Sequence, residues 1–164
     1  MLFLTFYRKK IIISILGVLL SLILISGFFL LRHISHNKEP CFVSGENRIS
    51  ARAASFGDLR RIAGELGLDI SESSVKSRRV FIPCKFNDIY QQYNDLQKLC
   101  GLDLEPYAGA ECTLYSFPVK NRQGVCKWTL ELLICNGLLI GGDLSENKLG
   151  GNMLSLGEID ERDK

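Results

Sequence analysis

The stretch CKWTLELLICNGLLIGGD, residues 126–143, decides the fold. Cys126, Trp128, Leu130, Leu132 and Ile134 alternate with Lys127, Thr129, Glu131, Leu133 and Cys135, the two-residue period of a strand with one buried face. Asn136-Gly137 follows at once. Both residues tolerate the positive φ that a two-residue type I′ turn demands, so Leu138 to Asp143 should return antiparallel. Such a turn places Cys135 opposite Leu138, Ile134 opposite Leu139 and Leu133 opposite Ile140. That end of the hairpin is then apolar on both sides, and its outer face needs a cover from another element, a partner or the membrane surface. Gly141-Gly142-Asp143 opens no helix and precedes no Lys-Ser/Thr, so it reads as a strand-end turn rather than a phosphate cradle.

Working outward, Glu111 to Val119 is strand-like and Lys120 to Gly124 makes a hairpin loop, with Pro118 favouring an outer position in the sheet. Val75 to Ile82 is a further strand, and its Lys76, Arg78 and Arg79 suit a solvated sheet edge, where cations discourage unwanted pairing. Phe56, Leu59, Ile62, Ala63 and Leu66 recur at helical spacing behind a Ser55/Asp58 capping box, and Gly67 supplies the stop. A second helix is expected from Lys85 to Cys100, with Phe86, Ile89, Tyr90, Tyr93, Leu96, Leu99 and Cys100 on one broad face, Pro83 before it and Gly101 after it. The order α-β-α-β-β-β predicts an α+β domain, a mainly antiparallel sheet with both helices packed on one face.

Residues 11–31 run for 21 positions without a charge. At a helical rise of ~1.5 Å per residue this spans roughly 30 Å, the thickness of the hydrocarbon core of a bilayer. A cleaved signal peptide fits less well: its apolar run is usually about 7–15 residues, and a cut after Gly27 places Ile25 where a small residue belongs. No lipid-attachment signature precedes Cys41, and Gly17 and Gly27 lack the close small-xxx-small spacing of a packing helix. Arg8, Lys9 and Lys10 precede the span, while only Arg32 and Lys38 follow it closely. By the positive-inside rule this keeps the N-terminus in the cytoplasm and sends the rest outward. The expected organisation is a cytoplasmic N-terminus (1–10), a single-pass signal anchor (11–31), a juxtamembrane linker (32–54), an extracytoplasmic domain (55–156) and a loose tail (157–164).

Composition narrows the function. Five of the 20 Lys and Arg precede Glu39 and none of the 18 acids does, so 15 basic residues face 18 acidic ones after Lys38, a net charge of −3. That balance speaks against nucleic acid as a partner. Both histidines, His33 and His36, lie in the juxtamembrane segment, where an interfacial role outweighs metal binding. The domain beyond them thus lacks the imidazole of Ser-His-Asp and Cys-His catalysis and of the usual zinc hydrolases. A carboxylate pair remains conceivable in Glu111 and Glu131, on strands expected to be neighbours, though their alternation points them at solvent. The six cysteines show no Cys-x-x-Cys, and their 15 full pairings are not sorted by spacing. Cys100, Cys112 and Cys126 fall on expected buried faces. Cys84 is the candidate reactive thiol, because it precedes the second helix beside Lys85, where dipole and cation both favour thiolate. Tyr90, Tyr93, Tyr107 and Trp128 are candidates for a groove taking peptide or glycan, although Tyr90 and Tyr93 share the core face of their helix.

Ile82-Pro83, Phe86, Ile89-Tyr90, Tyr93-Asn94, Leu96-Gln97, Gly101, Asp103-Leu104, Tyr107, Gly109 and Ile140-Gly141-Gly142-Asp143 form a pattern that resembles the bacterial domain-of-unknown-function family 4830. The likeness covers roughly Phe56 to Leu156, and Tyr-Asn-x-Leu-Gln before Gly-x-Asp-Leu is its most specific part. It implies a short exported domain held at the membrane of a Gram-positive bacterium and carries no reaction, cofactor or site residue. Together these readings predict a non-enzymatic binding or regulatory module at the cell envelope, partnered by the membrane and by another envelope protein or a glycan. The alternative is a thiol-based sensor or an enzyme using Cys84 or exposed carboxylates. No cofactor or metal is expected.

Overall fold

The computed structural model describes residues 20–23, 25–26, 39–122 and 127–159. The chain divides into two compact units, Met1–Glu39 and Pro40–Lys164. In the first, residues 20–23 and 25–26 are helical. The expected span at 11–31 otherwise lies outside the described residues, as do His33 and His36; among the described residues no helix is long and apolar enough to cross a membrane. Cys126 and residues 160–164 also lie outside them.

The second unit is α+β, with two antiparallel sheets. Strands β1 (Cys41–Ser44) and β2 (Asn47–Ser50) form a hairpin. Helix α1 (Phe56–Glu65), β3 (Lys76–Phe81), α2 (Asp88–Lys98), β4 (Glu111–Pro118), β5 (Trp128–Cys135), β6 (Leu138–Glu146) and β7 (Met153–Ser155) follow. The larger sheet has the order β3-β4-β5-β6-β7, which places the cationic β3 on an edge as its composition predicts. Helix α1 carries the expected capping box of Ser55 and Asp58. Asn136 and Gly137 take φ of 50° and 76°, the two left-handed conformations of the type I′ turn.

The linker expected at 32–54 is corrected over its second half. Phe42 and Ile49 face each other across the hairpin and are fully buried, and Ala51 and Ala53 join them. The backbone is bound just as firmly: Val43 N–H donates to Cys100 O, Leu139 N–H to Ala51 O and Ala53 N–H to Gly137 O, at 2.8–2.9 Å. Only four-residue strands and few apolar side chains mark this segment, too little periodicity to stand out in sequence. The loose tail expected at 157–164 is corrected at its start, where Gly157 O accepts from Gly45 N–H at 3.2 Å and Ile159 is buried; the domain before it ends in β7, which pairs with β6.

The helices do not share one face. Alternate residues of a strand point to opposite sides. Leu59, Ile62 and Ala63 of α1 pack with Phe117, Leu130, Leu132 and Leu144, whereas Tyr90 and Tyr93 of α2 pack with Cys112, Leu114, Leu133 and Cys135. The sheet is therefore sandwiched, with α1 and the β1–β2 hairpin on one side and α2 on the other. This arrangement supplies the cover that the doubly apolar β5–β6 hairpin needs.

Helix α2 is also shorter and rotated relative to its apolar pattern. Asn87 caps it by accepting from Tyr90 N–H, and Ile89 and Leu99 are left exposed while Asn94 and Gln97 are fully buried. Asn94 Oδ1 accepts from Leu104 N–H at 2.8 Å, and its Nδ2 donates to Asp103 at 2.9 Å. Gln97 Oε1 accepts from Gly142 N–H at 2.8 Å. These bonds dictate which face turns inward, because a buried peptide N–H without an acceptor costs about 1–3 kcal/mol. Gly141 and Gly142 lie within β6, not at a strand-end turn. A Cβ at Gly142 would stand 2.5 Å from Glu131 O, a backbone atom, so the close approach requires glycine there, whereas one at Gly141 would stand 3.0 Å from Leu104 Cδ2, a side-chain methyl that must give by a few tenths of an ångström. Gln97→Ala strands the Gly142 N–H and is expected to lower stability by about 1–3 kcal/mol. A urea midpoint unchanged from the parent chain would show that the side-chain bond does not hold α2 on the sheet.

Candidate functional site

A β-bulge builds the first cluster. Cys135 faces Leu138 and Ile134 faces Leu139 as the turn predicts, but Leu133 then faces Gly141 rather than Ile140. A one-residue slip exchanges the two faces of a strand. Beyond the bulge, Asp143 instead of Gly142 stands opposite Glu131, on the α2 side of the sheet. Register continues this row outward through Ser116 to Lys76 on the edge strand.

Asp143 is 1% exposed. Tyr93 Oη donates to its Oδ1 at 3.1 Å, and Oδ2 has no hydrogen-bond partner. Burial first, and then the Glu131 charge, push its carboxyl up to about 6, against the pull of Tyr93 and Ser145. Tyr93 is raised in turn by burial and by Asp143. Glu131 is half-buried and accepts from Ser116 Oγ at 2.9 Å. Asp143 can hold or release a proton near neutrality, but its burial offers no open face to a substrate.

The second feature is a cleft of about 230 Å³ between the start of β1, the 101–107 loop and the start of β6. Its walls are largely apolar, from Pro40, Ala51, Leu102, Pro106 and residues 138–140, with Cys41, Asp103 and Tyr107 supplying the polar groups. Arg48 Nη2 donates to Cys41 Sγ at 2.9 Å. Desolvation is the largest influence on Asp103 and acts to raise it. The bonds from Asn94 and Glu105 N–H, with the Lys98 charge, outweigh it and hold the carboxyl below its usual range. Asp103 thus stays ionised. Burial, together with Cys135 and Cys112, raises the Tyr107 phenol. Sites for small molecules occupy roughly 300–1,000 Å³, so this cleft matches one apolar side chain or a single ring.

The residues singled out in the sequence are dispersed. Cys84 is exposed but lies in the β3–α2 loop; α2 begins at Asp88 with Asn87 as its cap, so the helix-dipole argument for a thiolate no longer applies. Glu111 pairs with Arg79 at 3.2 Å at the opposite end of β4 from Ser116, which separates it from Glu131. Tyr90, Tyr93 and Tyr107 border the α2-side core, while Trp128 packs on the α1 side under the Arg122 guanidinium, 5.0 Å from its ring centre. The four rings therefore line no common groove. Cys100, Cys112 and Cys135 are buried. Asp143 was hidden in the sequence by the bulge, and the cleft by the unrecognised hairpin. Compared with known proteins, the chain matches no family model, no curated protein and no solved structure.

Proposed function

We propose that the chain is a single-pass, membrane-tethered extracytoplasmic domain that acts without catalysis, as a binding or regulatory module at the bacterial cell envelope. The uncharged 21-residue run with its basic flank supports the tether. Kinship with domain-of-unknown-function family 4830 is part of the same proposal; it rests on the spacing of Tyr93-Asn94-x-Leu96-Gln97 before Gly101-x-Asp103-Leu104 alone and adds no reaction. The cleft beside Tyr107 carries the binding reading. Its apolar walls, small volume and ionised Asp103 suit an envelope protein segment that inserts one apolar side chain next to a basic residue. No nucleophile paired with a base converges there, which disfavours an enzyme.

Fluorescence anisotropy with short labelled peptides tests this. Peptides carrying Leu or Phe beside Arg should bind the full-length chain in detergent, and Asp103→Asn should weaken them roughly threefold to tenfold, as for loss of a partly exposed ion pair. Uniform failure of these peptides, with binding of soluble muropeptides instead, would replace the protein partner with a glycan.

A further inference from the structure

Cys112 and Cys135 sit side by side on neighbouring strands, and the pattern of rungs shows how closely. Val119 N–H donates to Trp128 O at 3.0 Å, so that pair is a hydrogen-bonded rung of the β4–β5 ladder. The next, Pro118 opposite Thr129, is a non-bonded rung, where a missing N–H does no harm. Rungs alternate. Ser116 with Glu131 and Leu114 with Leu133 are therefore non-bonded; the paired register ends at Thr113 with Ile134, and continued by one step it sets Cys112 against Cys135 on the α2 side. Cα atoms at such rungs lie about 4.5 Å apart, within the roughly 4.4–6.8 Å that a disulfide spans. Both thiols are buried in the same cluster on the α2 side; Cys135 Sγ donates to Glu111 O, the carbonyl next to Cys112 in the chain, at 3.8 Å, and Cys135 acts directly on the ionisation of Cys112.

We propose that Cys112 and Cys135 close into a disulfide that staples β4 to β5, with a small-molecule disulfide such as oxidised glutathione as the oxidant. One protein thiolate attacks the glutathione disulfide and expels a glutathione thiolate. The second protein thiolate attacks the mixed disulfide at the protein sulfur and expels the other. Two protein thiols are oxidised, one glutathione disulfide is reduced to two thiols, and the two protons pass to the departing thiolates. Thiolate is the attacking species, yet burial and Cys135 push the folded Cys112 thiol up to about 12. Closure consequently belongs to the folding chain, before α2 covers the pair, and the finished bond is shielded from reductant. This inference shares with the proposed function only the placement outside the cytoplasm, and its test needs neither that placement nor a cleft ligand.

The full-length chain, reduced and denatured, is refolded in detergent with oxidised or with reduced glutathione, alkylated, and mapped by mass spectrometry. The oxidised sample should contain the Cys112 and Cys135 peptides joined, two hydrogen atoms lighter than the pair of thiol peptides and free of alkyl label. The bond should survive reduced glutathione while the protein is folded and yield once it is unfolded. Relative to the reduced sample, the folding equilibrium should shift by about three-hundredfold, as for a loop of this length. Alkylation of both thiols after oxidative refolding, or joining of either to another cysteine, overturns the proposal. Should refolding fail, the same map on protein purified in its native state without reductant gives the same two outcomes.

Discussion

Phe42→Ala is expected to lower the stability of the domain by about 3–5 kcal/mol, the range for emptying the space of a buried phenylalanine. Phe42 is fully buried opposite Ile49, and the strand that carries it is bonded to Cys100 O on one side and to β2 on the other. A typical domain is stable by only about 5–15 kcal/mol, so the loss is a large part of the whole. Were residues 38–54 a tether, the same change would be nearly neutral. Urea unfolding separates the two cases, with Val43→Ala as the control, because Val43 neighbours Phe42 and is 42% exposed. The control should move the midpoint little. A Phe42→Ala midpoint equal to that of the control would return the hairpin to the periphery of the fold.

Asp143→Asn is expected to stabilise the domain at neutral pH and to do little at pH 4. The folded carboxyl is raised from an ordinary 3.8 to about 6, first by burial and then by Glu131. Below about 4 both folded and unfolded chains hold the proton, and the group contributes no difference. Between there and about 6 the unfolded chain releases its proton while the folded chain keeps it, so stability falls as pH rises. Above about 6 both are ionised, and the accumulated penalty stays constant at about 3 kcal/mol, from roughly 1.4 kcal/mol per pKa unit. An amide carries no charge to desolvate. Its oxygen can still accept from Tyr93, and its nitrogen can donate toward Glu131. Stability measured from pH 4 to pH 8 should therefore decline through the window for the parent chain and stay flatter for the variant. An equal loss at both ends of the range would mean that packing, not charge, sets the character of this position.

The two clusters differ in how far they could be read before folding. Helix α1, its capping box, strands β3 to β6 and the Asn136-Gly137 turn are written in local patterns, each spanning a few residues and each matched closely by the fold. The spaced residues between Tyr93 and Leu104 also acquire a physical meaning. Tyr93 bonds Asp143, Asn94 bonds Leu104 and Asp103, and Gln97 bonds Gly142. A spaced pattern in the chain thus becomes one interlocking contact between α2, the following loop and β6. The partners themselves were not legible, because no periodicity couples Gln97 to a peptide group 45 residues away.

By itself, the sequence determined the α+β composition, the antiparallel hairpin with its tight turn, the helix with its cap, and the absence of histidine beyond His36. Each depends on torsional preference, side-chain period or residue identity, which act over one turn or one strand. Only the tertiary structure decided that the helices lie on opposite faces, that residues 41–53 belong to the core, and that Asp143 rather than Gly142 meets Glu131. Those outcomes depend on which distant groups satisfy one another. A single extra residue at Ile140, accommodated between Leu133 and Ile134, exchanges the faces of everything beyond it.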